Sequence, residues 1–452
     1  MTALETPVLT DQAPLGATIR TGIGATGPVT VPADRYTSAA FAEREHERLW
    51  PRVWQLACTL DHVAQPGDVF DYRLGDRSIL VVRGDDGALR GFENVCMHRG
   101  SELCPGSTSG LTELRCGYHR WSWDLTGRLR EVPSRKGFGV LPPDDYGLRA
   151  VEVDTWGPLV FVHPGPADAE HPGLAEFLGE VPGDIAWVGL DDFRCRYLVT
   201  IALAANWKTV IDGFSETYHV QGIHREMLPS VDDVDGPQQI WKHHGKLEQR
   251  YGLPSPRLRD RPDDDAVWHS FVEVMGDRIG IADKASAGPA PTVAPGSTLR
   301  DVLAERLRAH HEAKGLDFSA FDDDQLLTMS QYNLFPNVTM VVFPDLLSVV
   351  RSRPGATPDE GYMDVFVFDR VPAGEATVAR TAPLDVTLPP DGELPIGLVL
   401  SQDVGNAERA QRGLHQPGFT RVTLSNEECR IWNLHRNLER WLDIAPSEIT
   451  GL

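Results

Sequence analysis

Cysteine is scarce in this chain: six occur in 452 residues, Cys58, Cys96, Cys104, Cys116, Cys195 and Cys429. So few in so long a chain do not make the disulfide framework that staples small secreted domains. Positive charge is short as well, with 43 Lys and Arg against 65 Asp and Glu and a net charge of −22. Nucleic acids and anionic membrane surfaces select for basic patches, so neither is an expected partner. Long apolar runs are missing too. No stretch approaches the ~18–20 residues that span a bilayer. The opening residues, MTALETPVLTDQAPLG, lack a basic segment followed by an apolar run, so no secretory leader is read there. These absences predict a cytoplasmic protein with mostly buried, reduced thiols.

What is present is ordinary globular material, 41% hydrophobic and 24% charged, in a length that suits two or three domains. Residues 1–35 are rich in Pro, Gly and Thr and read as an extended arm. Gly22, Gly24 and Gly27 match a dinucleotide fingerprint, but that motif needs a preceding strand and a following helix, and Pro28 follows instead. We therefore expect no nucleotide site. From 50 to 165, short alternating segments such as RSILVVRG and GPLVFVHPG predict a small all-β domain. A longer helical segment is expected from 200, and a polar lid or surface excursion from 228 to 300. Leu299, Val302, Leu303 and Leu307 predict a helix over 299–314. Antiparallel strands are expected within 331–370 and two helices beyond 400. The pairs His243-His244 and His310-His311 read as solvated surface.

Two constellations carry chemistry. The first is Cys96-x-His98 followed, after seventeen residues, by Cys116-x-x-His119, each pair at a predicted hairpin tip. Thiolate and imidazole together suit zinc or an iron–sulfur cluster. Zinc fingers pair Cys with Cys and His with His. Mixed pairs suit a [2Fe–2S] cluster with one iron on two Cys and the other on two His. In this motif, and in Arg99-Gly100, Tyr118, Trp121 and Gly127 around it, the chain resembles the Rieske family. Arg120 departs from the smaller residue common there. Cys104 lies off the motif and reads as structural.

The second constellation lies in NWKTVIDGFSETYHVQGIH, Asn206 to His224. Asp212, Glu216 and His219 are spaced by four and three, so on a helix they share one face. His224 stands about 140° round a straight helix from His219, and Gly222 between them lets the helix end and His224 turn back. Two imidazoles and a carboxylate form the facial triad of non-haem Fe(II) oxygenases. By spacing alone, Asp403 in SQDVGNAERAQRGL is only an N-cap candidate. The segment resembles the mononuclear-iron motif of Rieske oxygenases, and Gln402-Asp403…Glu408…Gln411 resembles the stretch supplying their third ligand.

That resemblance, to the catalytic alpha subunit of ring-hydroxylating Rieske oxygenases, covers nearly the whole chain. It implies an α+β fold: an all-β Rieske domain at 45–165, then an antiparallel-sheet catalytic domain of helix-grip type at 166–452, which also takes in the arm at 1–44. It implies Cys96, His98, Cys116 and His119 as cluster ligands and His219, His224 and Asp403 as ligands of one Fe(II). Glu216, often Asp in relatives, would link cluster to iron, and Asp212 joins it as a catalytic candidate. NAD(P)H would act indirectly, through a separate reductase and in some systems a ferredoxin. The oligomer implied is a homotrimer, with or without beta subunits. The expected activity is O₂-dependent mono- or dioxygenation of an apolar, aromatic or polycyclic substrate. Phe214, Ile223, Met227, Phe335, Met340 and Val342 are candidate pocket residues and equally ordinary core. Alternatives are a monooxygenase of quaternary amines, a dealkylating monooxygenase, a Rieske electron carrier, or a zinc-stabilised structural protein.

Overall fold

The computed structural model describes residues 17–19, 29–142, 144–166, 170–372, 380–388 and 397–445. The glycine fingerprint at 22–27 lies outside them. The first sheet has six antiparallel strands in the order Gln55–Thr59, Leu159–His163, Ala150–Trp156, Leu89–Glu93, Arg77–Arg83, Val69–Leu74. A small three-stranded sheet, Leu114–Arg115, Ser122–Trp123 and Leu129–Glu131, stands beside it. A core shared by the two gathers Cys96, Cys116, Trp121, Trp123 and Leu125 with Leu80, Val82 and Phe92 of the first sheet.

The second sheet has ten strands. Its centre runs Gly245–Tyr251, Thr328–Leu334, Val338–Val342, Leu346–Pro354, Gly361–Arg370 and Phe193–Leu203, all antiparallel. Leu384–Leu388 adds a parallel edge. One face packs on the first sheet through a shared core of Trp54, Phe161, Tyr332, Met340 and Phe366. The structure is thus the α+β architecture expected. The N-terminal strand Val29–Pro32 pairs with Arg421–Leu424, so the arm closes against the end of the chain. No helix among the described residues is long and apolar enough to cross a membrane.

Several expectations need correction. The stretch 228–300 is no polar excursion. It contributes the central strand Gly245–Tyr251 and the helix Asp264–Met275, whose Val267, Trp268, Phe271 and Val272 are buried. Its Asp and Pro residues end elements rather than replace them: Asp263 caps that helix through Ala266 N–H. His244 and His311 are buried, not solvated. His244 Nε2 reaches the Phe177 carbonyl at 2.7 Å while Nδ1 accepts from Phe335 N–H at 3.0 Å, which requires the neutral ring. Burial, the leading cause, pushes its pKa down to about 3. His311 faces buried Asp345 at 3.3 Å. The helix over 299–312 forms as expected, started by a Thr298–Asp301 capping box.

A buried ion pair fixes the helix that leads into the candidate site. Lys208 Nζ meets Glu45 Oε1 at 2.6 Å, and Trp207 Nε1 donates to Glu45 Oε2 at 3.1 Å. Burial pushes the Glu45 carboxyl up and the Lys208 ammonium down, so each group depends on the other for its charge. Removing one partner strands the other in the core. We expect Lys208→Met to cost about 3–5 kcal/mol in urea denaturation. A loss below 1 kcal/mol would show that the pair is not the anchor it looks.

Candidate active site

The helix Trp207–Gly213 starts at Asn206, whose side chain accepts Lys208 N–H, and stops at Gly213. The expected common helix face for Asp212, Glu216 and His219 therefore does not exist. Gly213 is a poor helix former, and Ser215 Oγ bonds back to the Ile211 carbonyl at 2.7 Å, drawing the chain into a turn. His219 then precedes a four-residue helix, Val220–Ile223, and His224 lies just past its end. Two breaks, rather than one at Gly222, turn the rings towards each other, with centroids 5.1 Å apart at 77°.

The third group arrives from the helix Leu398–Leu414. Asp403 is its sixth residue, not a cap. Asp403 Oδ1 lies 2.9 Å from His224 Nε2 and 3.9 Å from His219 Nε2. One donor atom from each of the three lies within 4.8 Å of the others. The far side of each ring is held. His219 Nδ1 meets Glu216 Oε1 at 2.5 Å, and His224 Nδ1 meets Gln402 Oε1 at 2.6 Å. Both imidazoles thus aim Nε2 at one point, the outer-shell arrangement that orients metal-binding histidines. Burial works to lower the His219 pKa, but the Glu216 hydrogen bond and charge outweigh it and raise the pKa. This chemistry, two imidazoles and one carboxylate with open directions, fits a single iron(II).

Asp212 stands apart from that group. Its Oδ2 accepts the Tyr36 hydroxyl at 2.6 Å, and Tyr36 also meets His435 Nε2 at 2.8 Å. Asp212 Oδ1 is buried without a partner among the described residues. Burial first, then the Asp212 charge, pushes the Tyr36 phenol well up. A cavity of about 440 Å³ joins Asp212, Glu216, His219 and Asp403 to Tyr36 and Glu428. Burial raises the Glu428 carboxyl, helped by the neighbouring Glu216 and Asp212 charges, although two hydrogen bonds from Ser425 oppose it. Of the apolar candidates, Phe214 and Ile223 line this cavity. Phe335, Met340 and Val342 belong to the core between the sheets, and Met227 to the core under the Asp264–Met275 helix. Sequence reasoning missed Tyr36, Glu428 and His435. Gln402 was in view beside Asp403, but nothing in its spacing marked it as the partner of His224.

At the other candidate site, Cys96 and Cys116 are buried in one core, each thiol within reach of the other's influence. Backbone N–H groups of His98 and Arg99 face the Cys96 sulfur, and those of Tyr118 and His119 face Cys116. The His98 and His119 rings lie 4.6 Å apart, and His98 Nδ1 is a buried atom with no partner among the described residues. Two sulfurs ringed by N–H donors, beside two imidazoles with a nitrogen to spare, fit a [2Fe–2S] cluster. Trp121 stacks on His98 at 4.9 Å, while Tyr118 remains 60% exposed at the tip. Arg120 sits at φ 61°, a left-handed conformation that favours the smaller residue common in relatives. Cys104 is clear of the pair, its N–H and carbonyl tied to Asn94.

A family model of the ring hydroxylating alpha subunit catalytic domain matches residues 190–444, and a Rieske [2Fe-2S] domain model matches 53–149. The chain belongs to the ring-hydroxylating alpha-subunit family. Members carry one Rieske [2Fe–2S] cluster and one mononuclear non-haem iron. Among curated relatives, the glycine betaine monooxygenase oxygenase subunit of Pseudomonas aeruginosa is 30% identical over 213 residues, 46% of this chain and 48% of that one. The match thus spans about half the length of that relative. The carnitine monooxygenase oxygenase subunit of Acinetobacter baumannii is 28% identical over 339 residues, 74% of this chain and 86% of that one. The fold is shared with a quaternary ammonium Rieske monooxygenase bound to L-carnitine, TM-score 0.63 at 17% identity over 92% and 97% of the two chains. It is shared equally with naphthalene 1,2-dioxygenase, TM-score 0.65 at 16% identity over 96% of each.

Proposed function

We propose that this chain is the oxygenase component of a Rieske monooxygenase that oxidises a small organic cation of the quaternary ammonium kind. The observation that carries the substrate class is the cavity wall. Asp212, Glu216, Asp403 and Glu428 line it, with Tyr36, Phe214 and Phe419, and among the described residues no Lys or Arg does. A neutral arene would leave these carboxylates poorly solvated and mutually repelled, whereas a cation relieves both costs and finds aromatic faces. The names of the glycine betaine and carnitine relatives support the same reading. The apolar aromatic substrate expected from sequence rested on Phe214, Ile223, Met227, Phe335, Met340 and Val342, of which the cavity includes Phe214 and Ile223 but not the other four.

In this reading Cys96, Cys116, His98 and His119 hold the cluster, and His219, His224 and Asp403 hold the iron. The bound metals supply single-electron transfer and reductive activation of O₂. The protein's part is positional: Glu216 and Gln402 fix the ring faces of the two histidines, and Tyr36 holds Asp212 ready at the cavity wall. Electrons would come from NAD(P)H through a separate reductase. A closed ring of subunits, most simply a homotrimer, would bring a neighbour's cluster to Glu216.

The test is a screen of the metal-loaded protein with reductase and NADH, following substrate-dependent O₂ uptake and product mass. At least one of glycine betaine, carnitine or choline should be turned over with a kcat/KM about a hundredfold above naphthalene or biphenyl. Turnover of arenes alone would sink the cation reading while leaving the oxygenase reading intact.

A further inference from the structure

Arg430 is a buried cation that no carboxylate among the described residues meets. It lies in the first turn of the helix Cys429–Trp441 and is 3% exposed. Its Nη1 donates to Gln331 Oε1 at 2.8 Å and to Asn333 Oδ1. Its Nε and Nη2 are buried and have no partner among the described residues. In a guanidinium these two nitrogens point their hydrogens the same way, along one edge of the fork that grips anions. The unused donors are therefore one complete edge rather than scattered atoms. The carboxylate felt by the group is Glu216, whose recorded hydrogen bonds go to His219 and not to Arg430. The N-terminal turn of the helix adds further positive potential at this corner.

There is room beside Arg430. Arg430, Ser215, Asn333, Gly245 and Asn433 line a cavity of about 20 Å³. One water-sized occupant needs roughly 10–15 Å³ on this measure, so the space holds a single small ion and nothing larger. Gly245 makes the arrangement possible: a Cβ there would stand 3.2 Å from Arg430 Cγ and 3.3 Å from the Gln239 carbonyl. A water molecule would satisfy hydrogen bonds but leave the charge unmatched, and buried charges are paired as a rule.

We propose that the Nε–Nη2 edge of Arg430 holds a halide-sized monovalent anion, chloride under ordinary conditions, in the cavity it shares with Ser215 and Asn333. The ion joins the last helix, the strand Thr328–Leu334 and the turn that follows Trp207–Gly213. An anion held only by the folded chain stabilises it by mass action.

The test uses the intact protein and needs no turnover, so it stands apart from the substrate reading. Crystals grown with sodium bromide should give one anomalous peak within hydrogen-bond reach of Arg430 Nε and Nη2. In solution the parent should melt several degrees higher in sodium chloride than in sodium gluconate of equal ionic strength, and Arg430→Met should lose that difference. Should the variant fail to fold, the bromide peak and the parent's chloride dependence still decide. A water at the position with no bromide peak would overturn the proposal. So would a bromide peak accompanied by equal melting in both salts, the mark of an adventitious ion.

Discussion

Asp403→Ala is expected to abolish turnover and to remove one iron of three per chain, while the visible absorbance of the cluster stays at its parent value. Asp403 Oδ1 lies within 2.9 Å of His224 Nε2 and 3.9 Å of His219 Nε2 and is the group's single carboxylate. Without it two neutral imidazoles remain, a pair with neither the third donor nor the negative charge that an oxygen-preferring divalent ion needs. The helix Leu398–Leu414 should survive, because Ala is the better helix former and the Asp403 side chain caps nothing. The proposed cluster donors Cys96, His98, Cys116 and His119 lie on loops, and Cys96 and Cys116 pack into a core separate from the one around Asp403, so the cluster's colour should be untouched. Iron and acid-labile sulfide counts beside an absorption spectrum check this. A variant that keeps three irons and parent activity would mean that Asp403 is not a ligand and that another carboxylate of the cavity completes the site.

What could be read from the sequence follows how far apart the cooperating residues lie. Cys96, His98, Cys116 and His119 form two short pairs, and a local spacing survives any uncertainty about the fold between them. His219 and His224 were legible for the same reason. The helix expected from Asp212 through His219 does not form, because Ser215 gives its hydroxyl to the Ile211 carbonyl, and side-chain competition with a helix leaves no periodic signature. Asp403 is 179 residues from His224, and only resemblance singled it out from many acidic residues. Tyr36 and Glu428 reach the cavity from opposite ends of the chain. They are brought there by the pairing of Val29–Pro32 with Arg421–Leu424, a register that neither segment announces alone. The same limit explains the lid expected at 228–300: its buried strand is Gly245–Tyr251, GKLEQRY, whose polar side chains are covered by tertiary packing rather than excluded by it.

Glu216→Gln should leave both metal centres and the cluster's reduction intact and yet slow electron passage to the iron by orders of magnitude. Glu216 is 8% exposed, and its two oxygens each serve His219, Oε1 at the ring Nδ1 and Oε2 at the backbone N–H, 2.9 Å away. A carboxylate has about four acceptor sites, so these two bonds leave others free for the outward N–H of a cluster histidine from a neighbouring subunit. The carboxylate also sits on the wall of the cavity, with Tyr36, Asp212 and Glu428 around it, so a docking partner has an opening to reach it. Glutamine keeps the length and one acceptor oxygen. It offers an NH₂ where the second oxygen stood and carries no charge, so either the His219 contacts or the link to the neighbour must fail. Loss of an outer-shell partner of this kind costs about 10–100-fold in metal affinity or activity, and a broken electron route costs more. Iron analysis separates these outcomes, because a merely weakened ligand shell loses iron first. The deciding measurement is single turnover: the prereduced variant is mixed with substrate and O₂, and reoxidation of its cluster is followed by absorbance. Reoxidation at the parent rate, with three irons present, would show that Glu216 only orients His219 and carries no electron traffic.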